Sequence, residues 1–369
     1  MVVGVLKEPT FESRVSLLPE AVSSLIKKNI KVITEDNAGE RSFSNNEDYV
    51  RAGAEIKRRD EIINLSDIIL SIHHPAEINQ LNKKIIIGVY QPLYNVELMQ
   101  QWATAGITSF SLDMLPRTTR AQTMDVLSSQ ANIAGYKAIL LAANTYSRYF
   151  PMLMTAAGSI APAKVLILGA GVAGLQAIAT ARRLGAVVEV FDTRPAVKEE
   201  VMSLGAKFIE VEGAADASKA GGYAVEQSPE FVRLQKEKIS TSIAKADIVI
   251  TTAQIPGKKA PVLVTAEMIS NMREGSVIID LAAATGGNTE HTKNNETVIV
   301  KGVTIIGNSS LSSLMPSDAS KLYGKNVLNF LALLTDKNGE LILNFEDDLV
   351  KGSCITNNNS IVHERIKPV

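Results

Sequence analysis

The fold class predicted by this 369-residue sequence is α/β, with two doubly wound domains joined by long helices and a cleft between them. Three observations lead there. Strand-like apolar runs alternate with helical patterns almost throughout, and a glycine-rich turn sits between one such strand and one such helix. A long stretch rich in Ala, Leu and Gln then runs between two such alternating halves. A chain of this length can build about two α/β domains with real cores.

Apolar runs at 2–6, 31–34, 67–72, 85–90 and 107–112 read as strands, with helical patterns near 19–28, 46–52 and 96–105 between them. They make one doubly wound unit without a phosphate loop. A helix from about 120 to 149 carries the chain into a second unit, whose sheet continues through strands near 206–210, 247–251, 276–280 and 303–306. A helix at 317–334 carries it back. The first domain is therefore expected to be discontinuous, 1–126 with 312–369, around a second domain at 127–311.

The second unit opens on a strand from Lys164 to Leu168, followed by Gly169-Ala170-Gly171-Val172-Ala173-Gly174, an amphipathic helix to Leu184, a strand at 187–191 and then Asp192. G-x-G-x-x-G alone is a weak signal; between a strand and a helix, with an acid about 20 residues on, it is specific for a Rossmann-like dinucleotide site. Gly169 permits the turn, Gly171 leaves room for a pyrophosphate, and Gly174 lets helix and strand pack closely. The helix beginning near Val172 and Ala173 offers free N–H groups and a positive dipole end to phosphates. Asp192 can accept both hydroxyls of an adenosine ribose and repels a 2′-phosphate, which favours NAD(H) over NADP(H). Arg194 tempers this, because an arginine there can pair with a 2′-phosphate.

Composition excludes several classes. The 38 basic and 39 acidic residues nearly cancel, and no basic cluster with interleaved aromatics points to nucleic acid. One cysteine, Cys354, excludes an internal disulfide and suits a reducing compartment. Four histidines, among them His73 and His74, offer no metal-ligand spacing, and a solvated strand end is the expected setting for that pair. The N-terminus does not read as a signal peptide, and apolar stretches such as 138–143 are too short to span a bilayer. A soluble, cytosolic protein is expected.

Three segments depart from ordinary α/β sequence. Gly213 to Gly222, ending in Tyr223, reads equally as a lid over a bound coenzyme or as a plain surface loop. Asp280 to Gly287 follows a late strand and would lie at the carboxyl edge of the sheet. Arg117 to Asp125 opens the long helix, where Gln122 and Asp125, three apart, share a face that could carry Arg117. By itself the last is more often an ordinary helix start, since acids commonly decorate first turns.

Nearly the whole chain resembles the NAD(H)-binding first domain, or soluble alpha subunit, of proton-translocating NAD(P) transhydrogenase, in the superfamily that also holds alanine dehydrogenase. The residues that carry the resemblance are Lys7-Glu8 with Glu12-Ser13-Arg14-Val15, Pro116-Arg117 through Asn132-Ile133-Ala134-Gly135-Tyr136, and the glycine loop. Asp192-Thr193-Arg194, Gly221-Gly222-Tyr223, Ile255-Pro256-Gly257 and Gly286-Gly287-Asn288 complete it. The resemblance implies that Arg117, Gln122 and Asp125 hold the nicotinamide end of NAD(H), with Ser128 close to that loop. It implies that Asp192 binds the ribose and that Gly222 and Tyr223 belong to a mobile loop. Arg117 would orient the carboxamide region, Asp125 would hold Arg117, and Gln122 would meet an incoming second nucleotide.

Alanine dehydrogenase and a non-catalytic NAD-binding regulator are the competing readings. Oxidative deamination needs a proton-transfer residue and a cation for the carboxylate. The positions matching the amino-acid enzyme's lysine, histidine and aspartate are His73-His74-Pro75, Tyr90-Gln91-Pro92 and Ala284, and only Arg14 of that set remains. Their loss suits hydride exchange between two nicotinamides, which needs position rather than acid–base chemistry. The sequence has one glycine fingerprint and no membrane span, and the resemblance implies the partners that would supply the rest: membrane subunits carrying a proton path, an NADP(H)-binding domain, and a second copy in a homodimer. The expected location is cytoplasmic, peripheral to the inner membrane through those partners.

Overall fold

A computed structural model describes residues 1–213 and 228–366. They form two compact units, one from Met1–Gln130 together with the chain from Ser312 onward, the other Ala131–Leu311.

The first unit begins with β1 (Val2–Val5), α1 (Pro19–Ile26), β2 (Lys31–Glu35), α2 (Asn46–Arg51), β3 (Glu55–Lys57), α3 (Arg59–Leu65), β4 (Ile68–Leu70), β5 (Ile85–Gly88), α4 (Val96–Thr104) and β6 (Thr108–Ser111). These strands are parallel, in the order β6-β5-β4-β1-β2-β3. Parallel strands covered on both faces read as continuous apolar runs, and Ile68-Ile69-Leu70 and Ile85-Ile86-Ile87 are buried throughout. Alternation still decides which core each enters. Ile68, Leu70, Ile85 and Ile87 pack with Tyr49, Phe110 and Phe330, while Ile69 and Ile86 pack with Tyr90, Met99 and Trp102. Helix α2 starts where Asn45 and Asp48 cap each other's backbone N–H groups at 3.0 and 2.9 Å.

Helix α5 (Val126–Thr145) then contains the division between the units at Gln130. A small hairpin of β7 (Leu153–Thr155) and β8 (Gly158–Ile160) precedes the second sheet and forms a separate two-stranded pair. The second sheet is built from β9 (Lys164–Leu168), α6 (Val172–Arg183), β10 (Val187–Phe191), α7 (Lys198–Ser203), β11 (Lys207–Phe208), α8 (Pro229–Ile243), β12 (Ile248–Thr251), α9 (Ala266–Ser270), β13 (Val277–Asp280), β14 (Glu296–Val300) and β15 (Val303–Gly307). Its order is β11-β10-β9-β12-β13-β15-β14, parallel except for β14 against β15. From β9 the chain works outward through β10 to β11, then returns to β12 on the other side. The carboxyl ends of β9 and β12 therefore flank the topological switch point, where doubly wound sheets bind ligands.

After Ser312 the first unit is completed by α10 (Pro316–Leu331), α11 (Asp348–Ser353), β16 (Cys354–Asn357) and β17 (Ser360–Ile361). β16 pairs antiparallel with β6 and β17 with β16, which extends the first sheet to eight strands.

Two expectations need correction. The helix expected from 120 to 149 is a six-residue 3₁₀ segment, Thr119–Met124, followed by α5 from Val126. Asp125 breaks it: its two carboxylate oxygens accept the Ser128 N–H at 2.9 Å and the Ser128 hydroxyl at 2.6 Å, a capping arrangement that starts a new helix. The return is also not made by the helix after 317. Leu311 belongs to the second unit's core, the division falls at Ser312, and α10 starts inside the first unit with Pro316 in its opening turn.

Candidate functional site

The glycine turn lies at the switch-point edge of the second unit. Gly169 has φ +108°, and a Cβ there would meet the Thr252 hydroxyl at 2.3 Å, so both conformation and space demand glycine. Gly174 faces the Gly169 carbonyl so closely that a Cβ would lie 1.9 Å from its oxygen. A Cβ on Gly171, by contrast, meets nothing within 4 Å among the described residues. Gly171 is the N-cap of α6 and has no side chain to cap it, so it leaves the helix's first N–H groups available at the turn. Val172 is partly exposed at the helix start, and the Ala173 carbonyl packs against Gly135 of α5, where a Cβ would lie 2.1 Å away.

Asp192 follows β10. Its carboxylate accepts the Ala170 N–H at 2.7 Å, which fastens the glycine turn, and it holds Arg194 through Nε at 2.9 Å and Nη2 at 2.8 Å. The pair is largely buried, and the hydrogen bonds that Arg194 donates to Asp192 raise the guanidinium's pKa. The two residues that seemed to argue for opposite coenzymes thus form one ion pair. Gly222 and Tyr223 lie outside the described residues.

Arg117, Gln122, Asp125 and Ser128 lie in the first unit. Arg117 and Gln122 are exposed, and Asp125 and Ser128 are joined by the capping bonds above. Gln122 sits in the 3₁₀ segment and Asp125 at its end, so they do not occupy one α-helical face.

A polar cluster that sequence reasoning did not single out as a site lies behind β1. Glu12, 1% exposed, binds Arg14 through Nε at 2.9 Å and Nη2 at 2.6 Å, and its Oε2 lies 2.9 Å from Nε2 of His73. Arg14 Nη1 donates to Gln130 at 2.8 Å. Burial works against the Glu12 charge, but the hydrogen bonds from Arg14 and His73 outweigh it and hold the carboxyl well below its usual range. His73 also packs edge-on against Phe11, which corrects the expectation of a solvated strand end; His74 beside it is exposed. Of the other positions compared with the amino-acid enzyme, Tyr90 is buried with its hydroxyl 3.1 Å from that of Ser71, and Ala284 is exposed. The sequence offered Glu12, Arg14 and His73 only as separate points of the resemblance, with nothing to say that they meet.

Glu8 accepts the Ile72 and His73 N–H groups at 2.5 and 3.1 Å, yet burial pushes its carboxyl up to about 7. A carboxyl raised on folding favours the folded state while protonated, so this contribution is full below about 4.5 and is lost as pH rises through 7. Urea unfolding from pH 4 to 8 should show the wild type losing on the order of 3 kcal/mol relative to Glu8→Gln over that window. Parallel curves for the two proteins would remove Glu8 as the titrating group.

Among the described residues no group of three or more His, Cys, Asp or Glu could hold a metal ion, and no helix is long and apolar enough to cross a membrane. Models of the alanine dehydrogenase/PNT N-terminal and C-terminal domains match residues 4–134 and 138–364. The chain is 42% identical to an NAD(P) transhydrogenase alpha subunit of Rhodospirillum rubrum, over 95% of each chain. A solved transhydrogenase from Sinorhizobium meliloti superposes with a TM-score of 0.90 at 43% identity, over 98% of this chain and 100% of that one. A solved L-alanine dehydrogenase superposes with a TM-score of 0.82 at 25% identity, over 99% and 98%. Two domain models covering nearly the full length, and this difference in identity between the two branches, show that the chain belongs to the alanine dehydrogenase/PNT family, among its NAD(P) transhydrogenase alpha subunits.

Proposed function

We propose that this chain binds NAD(H) on its second unit and presents the nicotinamide for direct hydride exchange with NADP(H) held by a partner subunit. Separate membrane subunits couple that exchange to proton translocation, and the chain works as a homodimer at the cytoplasmic face of the inner membrane. The glycine turn supports the coenzyme assignment. Gly171 leaves a cradle in which even a Cβ meets no atom, the uncapped start of α6 offers N–H groups to a pyrophosphate, and Asp192 stands at the end of β10 for the ribose. The carboxylate of Asp192 favours NAD(H), and its bond to Arg194 competes with any 2′-phosphate for the guanidinium.

The observation that carries the choice of reaction is the state of Arg14. Three of its N–H groups are committed to Glu12 and Gln130, so the one substrate-binding cation shared with the amino-acid enzyme is engaged inside the protein. His73, Tyr90 and Ala284 stand at the other matching positions, and none of the three is the respective lysine, histidine or aspartate that deamination uses there.

When bound, the reduced nicotinamide supplies the hydride. The residues of this chain contribute position. Asp125 and Ser128 lock the junction between the 3₁₀ segment and α5, which leaves Gln122 exposed to meet the second nucleotide and Arg117 to orient the ring's surroundings. Such positioning is worth on the order of 7–11 kcal/mol of barrier.

Mixing the chain with its NADP-binding partner and following nicotinamide absorbance tests the proposal. NADH should bind to the chain alone, with transfer to an NADP analogue only in the mixture. Gln122→Ala should slow transfer by about tenfold or more, with NADH affinity within about twofold of wild type. Equal losses in both would remove the proposed role of Gln122, and rapid oxidation of L-alanine by the chain alone would overturn the whole reading.

A further inference from the structure

The loop after β12 flanks the switch-point crevice. Its first residue, Thr252, donates its hydroxyl to the Gly169 carbonyl at 3.1 Å, so it starts directly on the glycine turn. From there it runs through Gln254-Ile255-Pro256-Gly257-Lys258-Lys259 to Val264. Gln254, Ile255 and 257–259 are exposed, and no side chain of 254–259 is buried in the core. Core packing thus reaches the far end of the loop, at Ala260 and Val264, but not 254–259.

One buried side chain ties its stem. Asn288, 0% exposed, accepts the Ala253 N–H on Oδ1 at 3.0 Å and donates Nδ2 to the carbonyls of Ala253 and Pro261, both at 2.8 Å. Its own carbonyl accepts the N–H groups of Leu263 and Val264 at 2.8 and 3.0 Å. Both ends of the loop are thus tied to one residue. Asn288 is held in turn by Asp280, also 0% exposed, which accepts the Asn288 N–H and the Thr292 hydroxyl at 2.6 Å and the Ala282 N–H at 2.9 Å. Gln254 and Ala260 add single bonds, to the carbonyls of Leu281 and Thr285, at 3.1 and 2.8 Å.

We propose that Asn288 is a positioning residue for the coenzyme: by closing the 253–261 loop at its stem, it fixes the edge of the crevice beside the glycine turn. This rests on the reading of the second unit as the NAD(H) site. An apolar residue in place of Asn288 would leave three partly buried backbone groups without these partners. Aspartate is nearly isosteric with it but directs an oxygen at two carbonyls. Once ionised it repels both; once protonated its O–H can donate to one of them and restore the stem.

The experiment measures NADH affinity by fluorescence for wild type, Asn288→Ala and Asn288→Asp across pH 5 to 8, with circular dichroism to show that each is folded. Asn288→Ala should bind at least about tenfold more weakly at every pH. Asn288→Asp should bind near wild type at low pH and fall toward the alanine variant as the new carboxyl ionises. That pH dependence is a readout that simple loss of packing would not produce. If wild type binds NADH and both variants match it, the role of Asn288 is refuted while the reading of the site stands. If Asn288→Asp binds like wild type at every pH while Asn288→Ala binds weakly, side-chain shape alone is enough and the inference fails. If wild type itself does not bind NADH, the reading of the second unit falls and takes this inference with it.

Discussion

Gly174→Ala should lower both the stability of the second unit and its hold on NADH, whereas Gly171→Ala should lower only the second. At Gly174 the new methyl would lie 1.9 Å from the Gly169 oxygen and 2.9 Å from its carbonyl carbon, both backbone atoms that cannot swing aside. Helix α6 would have to move off the turn by more than an ångström. Overpacking of this kind costs about 1–3 kcal/mol. Carrying the helix start away from the phosphates should weaken NADH binding on the order of a hundredfold, the scale at which such misplacements act. At Gly171 the same methyl meets no protein atom, so the thermal midpoint should not change. The methyl would instead fill the cradle assigned to the pyrophosphate. Calorimetry together with NADH titration separates the two substitutions. Should Gly171→Ala bind NADH as well as wild type, the pyrophosphate does not lie over that residue.

Glu12→Ala should destabilise the first unit by about 3–5 kcal/mol, the usual cost of removing one member of a buried ion pair. The loss comes mainly from what remains: Arg14, with a side chain only 10% exposed, would keep its charge with Gln130 as its one partner from the cluster. His73→Ala is the control. Its ring is a third exposed and gives Glu12 a single contact, so its removal should cost far less. The sign with pH is opposite to that of Glu8. The Glu12 carboxyl is held below its ordinary 4.5, so its contribution is complete above that value and is lost as pH falls below it. Urea unfolding of wild type and Glu12→Ala between pH 7 and 3 should show their difference shrinking with acidification. A cost under about 1 kcal/mol at pH 7, the range of surface pairs, would mean that the interaction is not a buried one.

What the sequence disclosed and what it withheld divides along chain distance. The turn from Gly169 to Gly174 was readable because strand, turn, helix and acid follow one another between Lys164 and Asp192, and each glycine has a local reason. The buried strands were readable for a similar reason: parallel strands covered on both faces must be runs such as Ile85-Ile86-Ile87. Short elements escaped. β3 and α3 are too brief to show a period, and the edge strand β14, with alternating exposure, had no signal strong enough to separate it from loop. Asp125 read as a member of a helical face because its choice of Ser128 as partner is a local competition that spacing cannot resolve. The least legible features were pairings across sequence. His73 meets Glu12 across 61 positions, and Asn288 reaches Ala253 and Pro261 across 35 and 27. No period or motif encodes such meetings; they exist only once both sheets have formed.

The interruption of the first unit has a consequence for how the protein is made. During synthesis the second unit has all its residues once Leu311 has left the ribosome, and it can fold while translation continues. The first 130 residues must wait. Tyr323, Val327, Phe330, Leu349 and Val350, which cover one face of their sheet, emerge only after the whole second unit, and β16, which shields the edge of β6, comes later still. Until then the nascent chain carries an open apolar face and an unpaired strand, the kind of surface that chaperones hold and that aggregation exploits.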